Sequence, residues 1–170
     1  MIFRLSHIAT VCCAALLFSL QPMEAMEKKI ISGSGQSVRL STVYSVYPGD
    51  SPDHEVRYTI RHDLHTSGNP DWNNAQSILY GLLDQMGTNG THTGYQIYTH
   101  SDGDQSFTKH SGKQSLQPAG GGKMEVHFEG TFEWTGGTGK FEYMRGSGTY
   151  KGKIDVNGTA TYNYEGIANY

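Results

Sequence analysis

Side-chain character alternates with a period of two along most of this chain, and this pattern constrains the fold more than any other feature. In residues 54–65, one alternating set is Val56, Tyr58, Ile60, His62 and Leu64, and the other is Arg57, Thr59, Arg61 and Asp63. Successive side chains of a β-strand point to opposite faces, so the pattern predicts a half-buried strand. We expect its more apolar face, which carries His62, to point inward.

The same alternation recurs at residues 38–46 and 124–134. In the first of these, Leu40, Thr42 and Tyr44 are predicted to share one face. In the second, apolar and aromatic residues such as Phe132 and Trp134 alternate with polar ones. The chain therefore contains several candidate strands of the same kind.

Glycine-containing turns separate these strands. Asp102-Gly103 and Asn157-Gly158 each stand between two strand-like runs, and such dipeptides favour short hairpins. The sequence Asp102-Gly103-Asp104 lacks the spaced oxygen ligands of a calcium loop, so we interpret it as a turn. The glycines of residues 136–139 are predicted to form another turn, with positive φ at some of them.

The segment at residues 70–87 fits two structures. Its apolar residues have helical spacing, with Pro70 at a possible start and Gly87 at a possible end. Its second half also alternates with a period of two, as in a strand. Periodicity alone slightly favours a helix, whereas the resemblance described below favours a strand in the second half.

Glycine and aromatic residues dominate residues 128–152, FEGTFEWTGGTGKFEYMRGSGTYKG. A closed barrel bends its strands sharply, and glycine tolerates the dihedral angles this requires. Aromatic rings fill a barrel interior with few residues. The sequence thus predicts an all-β fold, an antiparallel, calycin-like barrel of about eight strands.

The N-terminal residues 1–25 have the order of a secretory signal peptide, with Arg4, an apolar run at residues 8–20 and a predicted cleavage site near Ala25. A membrane anchor is the less favoured alternative, because a spanning helix needs about 20 apolar residues. Both cysteines, Cys12 and Cys13, lie in this run. We therefore expect a single barrel domain at 26–170, secreted or periplasmic and without cysteine.

The charge pattern argues against two classes of partner. The net charge is −3 and no basic cluster is present, so neither nucleic acid nor membrane insertion of the mature chain is predicted. The sequence is compatible with oligomerisation.

Residues 136–153 resemble a known hairpin. GGTGKF at 136–141, followed by GSGTYKGK at 146–153, resembles the hairpin of the allene oxide cyclase and dirigent-like barrels. Together with GTHTGY at 90–95, the pattern is also similar to small secreted bacterial proteins of unknown role in that superfamily. The resemblance covers roughly residues 75–170 and implies an eight-stranded, calycin-type barrel.

The same resemblance implies two known activities, but their residues do not align onto this chain. Allene oxide cyclases hold an epoxide fatty acid in an apolar lumen, and dirigent proteins place acidic and arginine residues around a phenolic radical site. A shared barrel hosts unrelated activities, so enzymatic activity is not the favoured prediction. A cofactor-independent cyclase-like or dirigent-like enzyme is one alternative. A structural envelope protein, in which the rings simply pack, is another.

We expect instead an exported, lipocalin-like barrel that binds a small apolar or aromatic molecule. The candidate lumen residues are Tyr58, His62, Tyr98, Trp134, Tyr162 and Tyr164. No cofactor is predicted. No metal site is predicted either, because His62 and His65 would point to opposite faces of one strand and the other histidines lack zinc-type spacing.

Overall fold

The computed structural model describes residues 27–170, and the predicted signal peptide lies outside the described residues. Eight antiparallel strands form one closed barrel, in which each strand pairs with the next and β8 pairs with β1. The strands are β1 (Lys28–Val46), β2 (His54–Ser67), β3 (Gln76–Met86), β4 (Asn89–Thr99), β5 (Gln105–Gly120), β6 (Lys123–Gly137), β7 (Arg145–Ile154) and β8 (Ala160–Asn169). The predicted all-β antiparallel barrel is confirmed.

The described residues contain one helical element, a 3-10 turn at Gly139–Phe141. Within 27–170 there is no helix with the length and apolar character needed to cross a membrane.

The turn predictions agree with the structure. Asp102-Gly103 connects β4 to β5 and Asn157-Gly158 connects β7 to β8, with φ of +92° at Gly103 and +83° at Gly158. Gly136 and Gly139 have φ of +137° and +52°, as expected for that turn. The second half of segment 70–87 is strand β3, which confirms the strand interpretation.

Strand β1 differs from its prediction because it contains two bulges. The register with β2 shifts between Ser37 and Arg39 and again between Thr42 and Tyr44. An extra residue reverses the face on which the following side chains lie. Leu40 and Thr42 consequently line the interior cavity, whereas Tyr44 is 66% exposed on the outside. The prediction of one shared face is wrong for this strand.

Strand β2 is inverted relative to its prediction. Arg61, Asp63 and His65 are buried inside the barrel, so alternation places Tyr58 and His62 on the outer face. The predicted strand is confirmed, but a period of two does not determine which face is interior. The charged face can point inward because Arg61 and Asp63 bind each other there.

Inward glycines lie beneath inward aromatic rings on neighbouring strands. Four such pairs are Gly33 with Tyr164, Gly35 with Tyr162, Gly130 with Tyr150, and Gly148 with Phe132. A Cβ atom at Gly35 would lie 2.4 Å from Cζ of Tyr162, and one at Gly148 would lie 2.4 Å from Cζ of Phe132. These rings can lie flat against the barrel wall only where the wall has no side chain.

One end of the barrel is closed by a group of packed rings, which we call the plug: Trp72, His100, Trp134 and Phe141. Trp72, from the β2–β3 loop, is fully buried and meets Trp134 edge-on at 5.5 Å. His100 stacks on Phe141 at 4.1 Å. Phe141 belongs to the 3-10 turn that covers this end.

The turn at residues 136–141 is held by the β4–β5 turn. The carboxylate of Asp104 accepts a hydrogen bond from the backbone nitrogen of Lys140 at 3.1 Å. The ammonium of Lys140 also forms an ion pair with Asp102 at 2.8 Å. The acidic turn that could have suggested calcium therefore anchors the plug.

The glycine positions provide a stability test. A Cβ atom at Gly130 would lie 2.2 Å from the backbone oxygen of Ser111 and 2.4 Å from the Tyr150 hydroxyl. We expect Gly130→Ala to lower the free energy of unfolding by about 1–3 kcal/mol, since overpacking displaces rings and backbone. Urea unfolding followed by tryptophan fluorescence measures this.

Gly68→Ala is the matched control, because a Cβ atom there meets nothing within 4 Å. It should leave the free energy of unfolding within about 0.5 kcal/mol of wild type. Equal stability of the two variants would contradict the packing of rings onto glycine.

Candidate ligand-binding site in the barrel lumen

The barrel encloses a cavity of about 130 Å³. The plug is built from the β2–β3, β4–β5 and β6–β7 connections, so the cavity mouth lies at the opposite end. Near the mouth the lining residues include Leu40, Arg57, Leu83, Val126 and Ile154. Deeper in the lumen, the lining is formed by Arg61, His92, Gln96, Tyr98, His110, Phe128, Tyr150, Tyr162 and Tyr164. The cavity is thus apolar and aromatic, with a few fixed polar groups.

A buried ion pair lies in this lumen. Nε of Arg61 donates to both carboxylate oxygens of Asp63, at 2.8 and 3.0 Å. The Tyr162 hydroxyl donates to the same carboxylate at 2.8 Å, and Nε2 of Gln96 donates at 3.3 Å. Two residues on β2 therefore supply the charges, and strands across the barrel supply further donors. A buried carboxylate is stabilised only when it is paired and hydrogen-bonded in this way.

Neutral polar groups continue from the ion pair toward the plug. Nε2 of Gln96 lies 2.6 Å from the Ser77 hydroxyl, and that hydroxyl lies 2.7 Å from Nε2 of His65. The Tyr98 hydroxyl donates to Gln96 at 3.1 Å. Each side chain fixes the rotamer of the next, so the polar lining is rigid.

Burial keeps the lumen histidines neutral. It lowers the pKa of His65 to about 3, and the positive charge of Arg61 adds to this effect. It also lowers the pKa of His110 to about 3, with His92 and Arg61 contributing. For His92, burial and Arg61 together lower the pKa to about 4. At neutral pH, Arg61 is therefore the cation that faces the deep lumen.

His92 and Tyr150 form a second polar pair. Nε2 of His92 lies 2.6 Å from the Tyr150 hydroxyl. Burial raises the pKa of Tyr150, so the phenol keeps its proton and donates it to the neutral imidazole. This assigns the remaining imidazole proton to Nδ1 of His92.

The structure separates the six predicted lumen residues into three groups. Tyr98, Tyr162 and Tyr164 line the cavity. Trp134 points inward but belongs to the plug, where it is 2% exposed. Tyr58 and His62 lie on the outer face of β2 and do not reach the cavity.

Sequence reasoning missed the polar residues of the lumen: Arg61, Asp63, His92, Gln96, His110 and Tyr150. Charged residues that alternate with apolar ones normally mark a solvent face, so Arg61 and Asp63 gave the opposite signal. Among residues 27–170, no group of three or more His, Cys, Asp or Glu side chains is arranged to hold a metal ion.

Comparison of whole structures shows which known fold this barrel shares. The solved structure of the pterocarpan synthase dirigent protein PsPTS1 superposes with a TM-score of 0.52 and 16% identity, over 86% of this chain and 97% of that chain. That of GePTS1, another pterocarpan synthase dirigent protein, gives 0.51 and 14%, over 86% of each chain. The barrel has a dirigent-like fold. No protein-family model and no curated protein sequence matches the chain, so the likeness shows the fold alone.

The neutral histidines predict a pH dependence of stability. His65 and His110 have folded-state pKa values of about 3, below the unfolded value of about 6.5. The unfolded chain therefore binds more protons as the pH falls below about 6.5. Stability should be full above that pH and decline progressively toward pH 3, by about 2 kcal/mol per histidine at pH 5.

Urea unfolding at pH 7 and pH 5 measures this decline. His110→Gln should reduce the pH-dependent loss, because the variant has one fewer buried imidazole. His62→Gln, on the outer face, should leave the loss as in wild type. Wild-type stability that is the same at both pH values would contradict the assignment of buried neutral histidines.

Proposed function

We propose that the protein binds a small, largely aromatic or apolar molecule inside the barrel. The observation that carries this proposal is the open cavity whose apolar wall holds a fixed set of polar groups. Ligand sites commonly combine an apolar lining with a few oriented polar side chains.

We also propose that the protein acts outside the cytoplasm, on the basis of the signal-like residues 1–25.

The size of the cavity supports a one-ring ligand. An engineered apolar cavity of about 150 Å³ in another protein binds benzene, and the cavity here is about 130 Å³. A barrel in which rings packed only for stability would gain little from an internal ion pair, because such pairs are often no more stabilising than apolar replacements. The Arg61–Asp63 pair therefore favours a ligand site over a purely structural interior.

A cofactor-independent cyclase-like or dirigent-like enzyme is the second candidate. It is favoured by one observation, the cluster of Arg61, Asp63 and Tyr162 at the cavity wall. Such a protein would shape a reactive ligand through a rigid and mostly apolar lumen. Conversion of the bound molecule, rather than its release unchanged, distinguishes this candidate from a binding protein.

Blocking the lumen tests the binding proposal. Thr59 lines the cavity, so Thr59→Trp should fill it and abolish ligand retention. Thr131→Trp places the same side chain on an exposed outer position and is the control. Native mass spectrometry of both variants and wild type, purified from the natural source, measures retention.

A ligand adduct on wild type and Thr131→Trp, absent from Thr59→Trp, is the expected result. An adduct of equal abundance on all three proteins would place the ligand outside the lumen. Wild-type protein without any adduct, and without affinity for small aromatic molecules, would overturn the proposal.

We also infer that the protein self-associates through its outer apolar face, which we define as Tyr44, Tyr58, Ile60, Ile78, Tyr80, Leu82, Tyr95 and Ile97. Strand register makes this face continuous, since Ile60 pairs with Tyr80 and Tyr80 with Tyr95. Tyr95 is 64% exposed and Leu82 is 46% exposed. Contiguous apolar surface of this kind is typical of interaction sites.

A second copy of the chain suits this face better than a bilayer does. The face itself carries no charge, and two uncharged faces match when a copy meets itself. The acidic residues Asp50 and Asp84 bind His54 near the mouth end of the same strands, where they would disfavour an anionic lipid surface. The outer surface of β5–β8, in contrast, carries ion pairs such as Lys109–Glu133 and Lys113–Glu129.

Introducing a charge into the outer apolar face tests self-association. Tyr95→Glu should shift the protein toward monomer, because a carboxylate in an apolar contact loses its hydration. Thr149→Glu, on the polar side, should sediment like wild type. Sedimentation velocity over a range of concentrations measures both, and a wild type that is monomeric throughout the range would overturn the inference.

A further inference from the structure

The two members of the buried ion pair, Arg61 and Asp63, differ in how many of their atoms take part in its hydrogen bonds. Asp63 accepts from Nε of Arg61, from Tyr162 and from Gln96. In its hydrogen bonds to Asp63, Arg61 uses only Nε as a donor. The carboxylate therefore has several protein donors, whereas the terminal nitrogens of the guanidinium take no part in these hydrogen bonds.

The two terminal nitrogens of Arg61 carry four N–H groups, and the hydrogen bonds of Arg61 to Asp63 use Nε alone. Arg61 is only 9% exposed, yet it lines the cavity. The nearby phenol of Tyr162 donates its own proton to Asp63. Because Arg61 lines the cavity, its terminal N–H groups can donate to an acceptor that enters there.

The surroundings specify the shape of that acceptor. The planar guanidinium presents its donors as a rigid fork, which matches two coplanar oxygens. Its central carbon lies 4.9 Å from the ring centre of Tyr162 and 5.8 Å from that of Phe128. A group with two oxygens attached to a flat apolar body would therefore bind both the fork and the rings.

The Arg61–Asp63 pair is the charged centre of the deep lumen. The groups that face Arg61 from other strands are neutral, since His92 and His110 are unprotonated and burial raises the pKa of Tyr162. The other cation on the lining, Arg57, is paired with Glu55 near the mouth. Asp63 lies on the Nε side of the guanidinium and also accepts hydrogen bonds from Tyr162 and Gln96, so the terminal nitrogens of Arg61 are the donors left for an anionic ligand.

We propose that the cavity takes an aromatic monocarboxylate, whose carboxylate binds the two terminal nitrogens of Arg61 and whose ring packs against Phe128 and Tyr162. This assignment rests on the proposed function, since it names the chemical class of the lumen ligand. The other polar groups of the lumen hold Asp63 in place and so keep the fork turned toward the cavity.

Two probes of the same shape test the class of ligand. 4-Fluorobenzoate offers two equivalent oxygens and a negative charge, whereas 4-fluorobenzamide offers one oxygen and places N–H groups against the N–H groups of Arg61. Titrations of wild-type protein at pH 7 followed by ¹⁹F NMR should show that the benzoate binds at least about tenfold more tightly. This comparison needs no variant, so it stands even if changes at Arg61 impair folding.

A variant then locates the carboxylate. Arg61→Lys keeps the charge but loses the fork, and it should weaken benzoate binding about tenfold while changing benzamide binding little. Arg39→Lys, at an exposed position of β1 outside the cavity lining, is the matched control and should bind both probes as wild type does. Circular dichroism verifies that both variants are folded.

The outcomes separate this inference from the proposal on which it rests. Benzamide binding as tight as benzoate binding, or benzoate binding unaffected in folded Arg61→Lys, would overturn the carboxylate site and leave lumen binding intact. Failure of both probes to bind, in a protein that also retains no other small molecule, would overturn the lumen-binding proposal itself.

Discussion

The packing of aromatic rings onto glycine is the contact on which the barrel interior depends. Tyr162 and Tyr164 of β8 lie over Gly35 and Gly33 of β1, across the seam where the last strand pairs with the first. A side chain at either glycine would push the ring away from the wall and into the lumen. The seam and the shape of the cavity are therefore set by the same contacts, which explains why glycine and aromatic residues occur together in this sequence.

The rings placed in this way determine where polar groups can be buried. With its ring on Gly35, Tyr162 reaches Asp63 across the lumen and donates to it. Gln96 then links the ion pair to Ser77. The result is a lumen in which a charged pair is tolerated because the surrounding side chains, Tyr162 among them, supply hydrogen-bond donors to the carboxylate. Such an interior is suited to recognising a small molecule by both its apolar body and a polar end.

The two ends and two sides of the barrel have different roles. The plug closes one end with Trp72 and Phe141, and it is secured by the contacts of Lys140 with Asp102 and Asp104. The opposite end leaves the cavity accessible. The outer surface is apolar along β1–β4 and charged along β5–β8, so the binding of a ligand and the binding of a second copy would use separate surfaces. A dirigent-like barrel is thus combined with a plug at one end and an accessible polar and aromatic lumen at the other.

The sequence by itself determined the strands and their turns, because a period of two and dipeptides such as Asn157-Gly158 act within a few residues. It also indicated the inward tyrosines of β8. Only the tertiary structure decided which face of β2 is interior, because a period of two does not distinguish the inner face from the outer one. Arg61 and Asp63 are stable inside the barrel only through hydrogen-bond partners on distant strands. The tertiary structure likewise decided the faces of β1, because a bulge shifts the register without a distinct sequence signal. The site depends on these long-range contacts, and therefore its polar residues could not be read from local pattern.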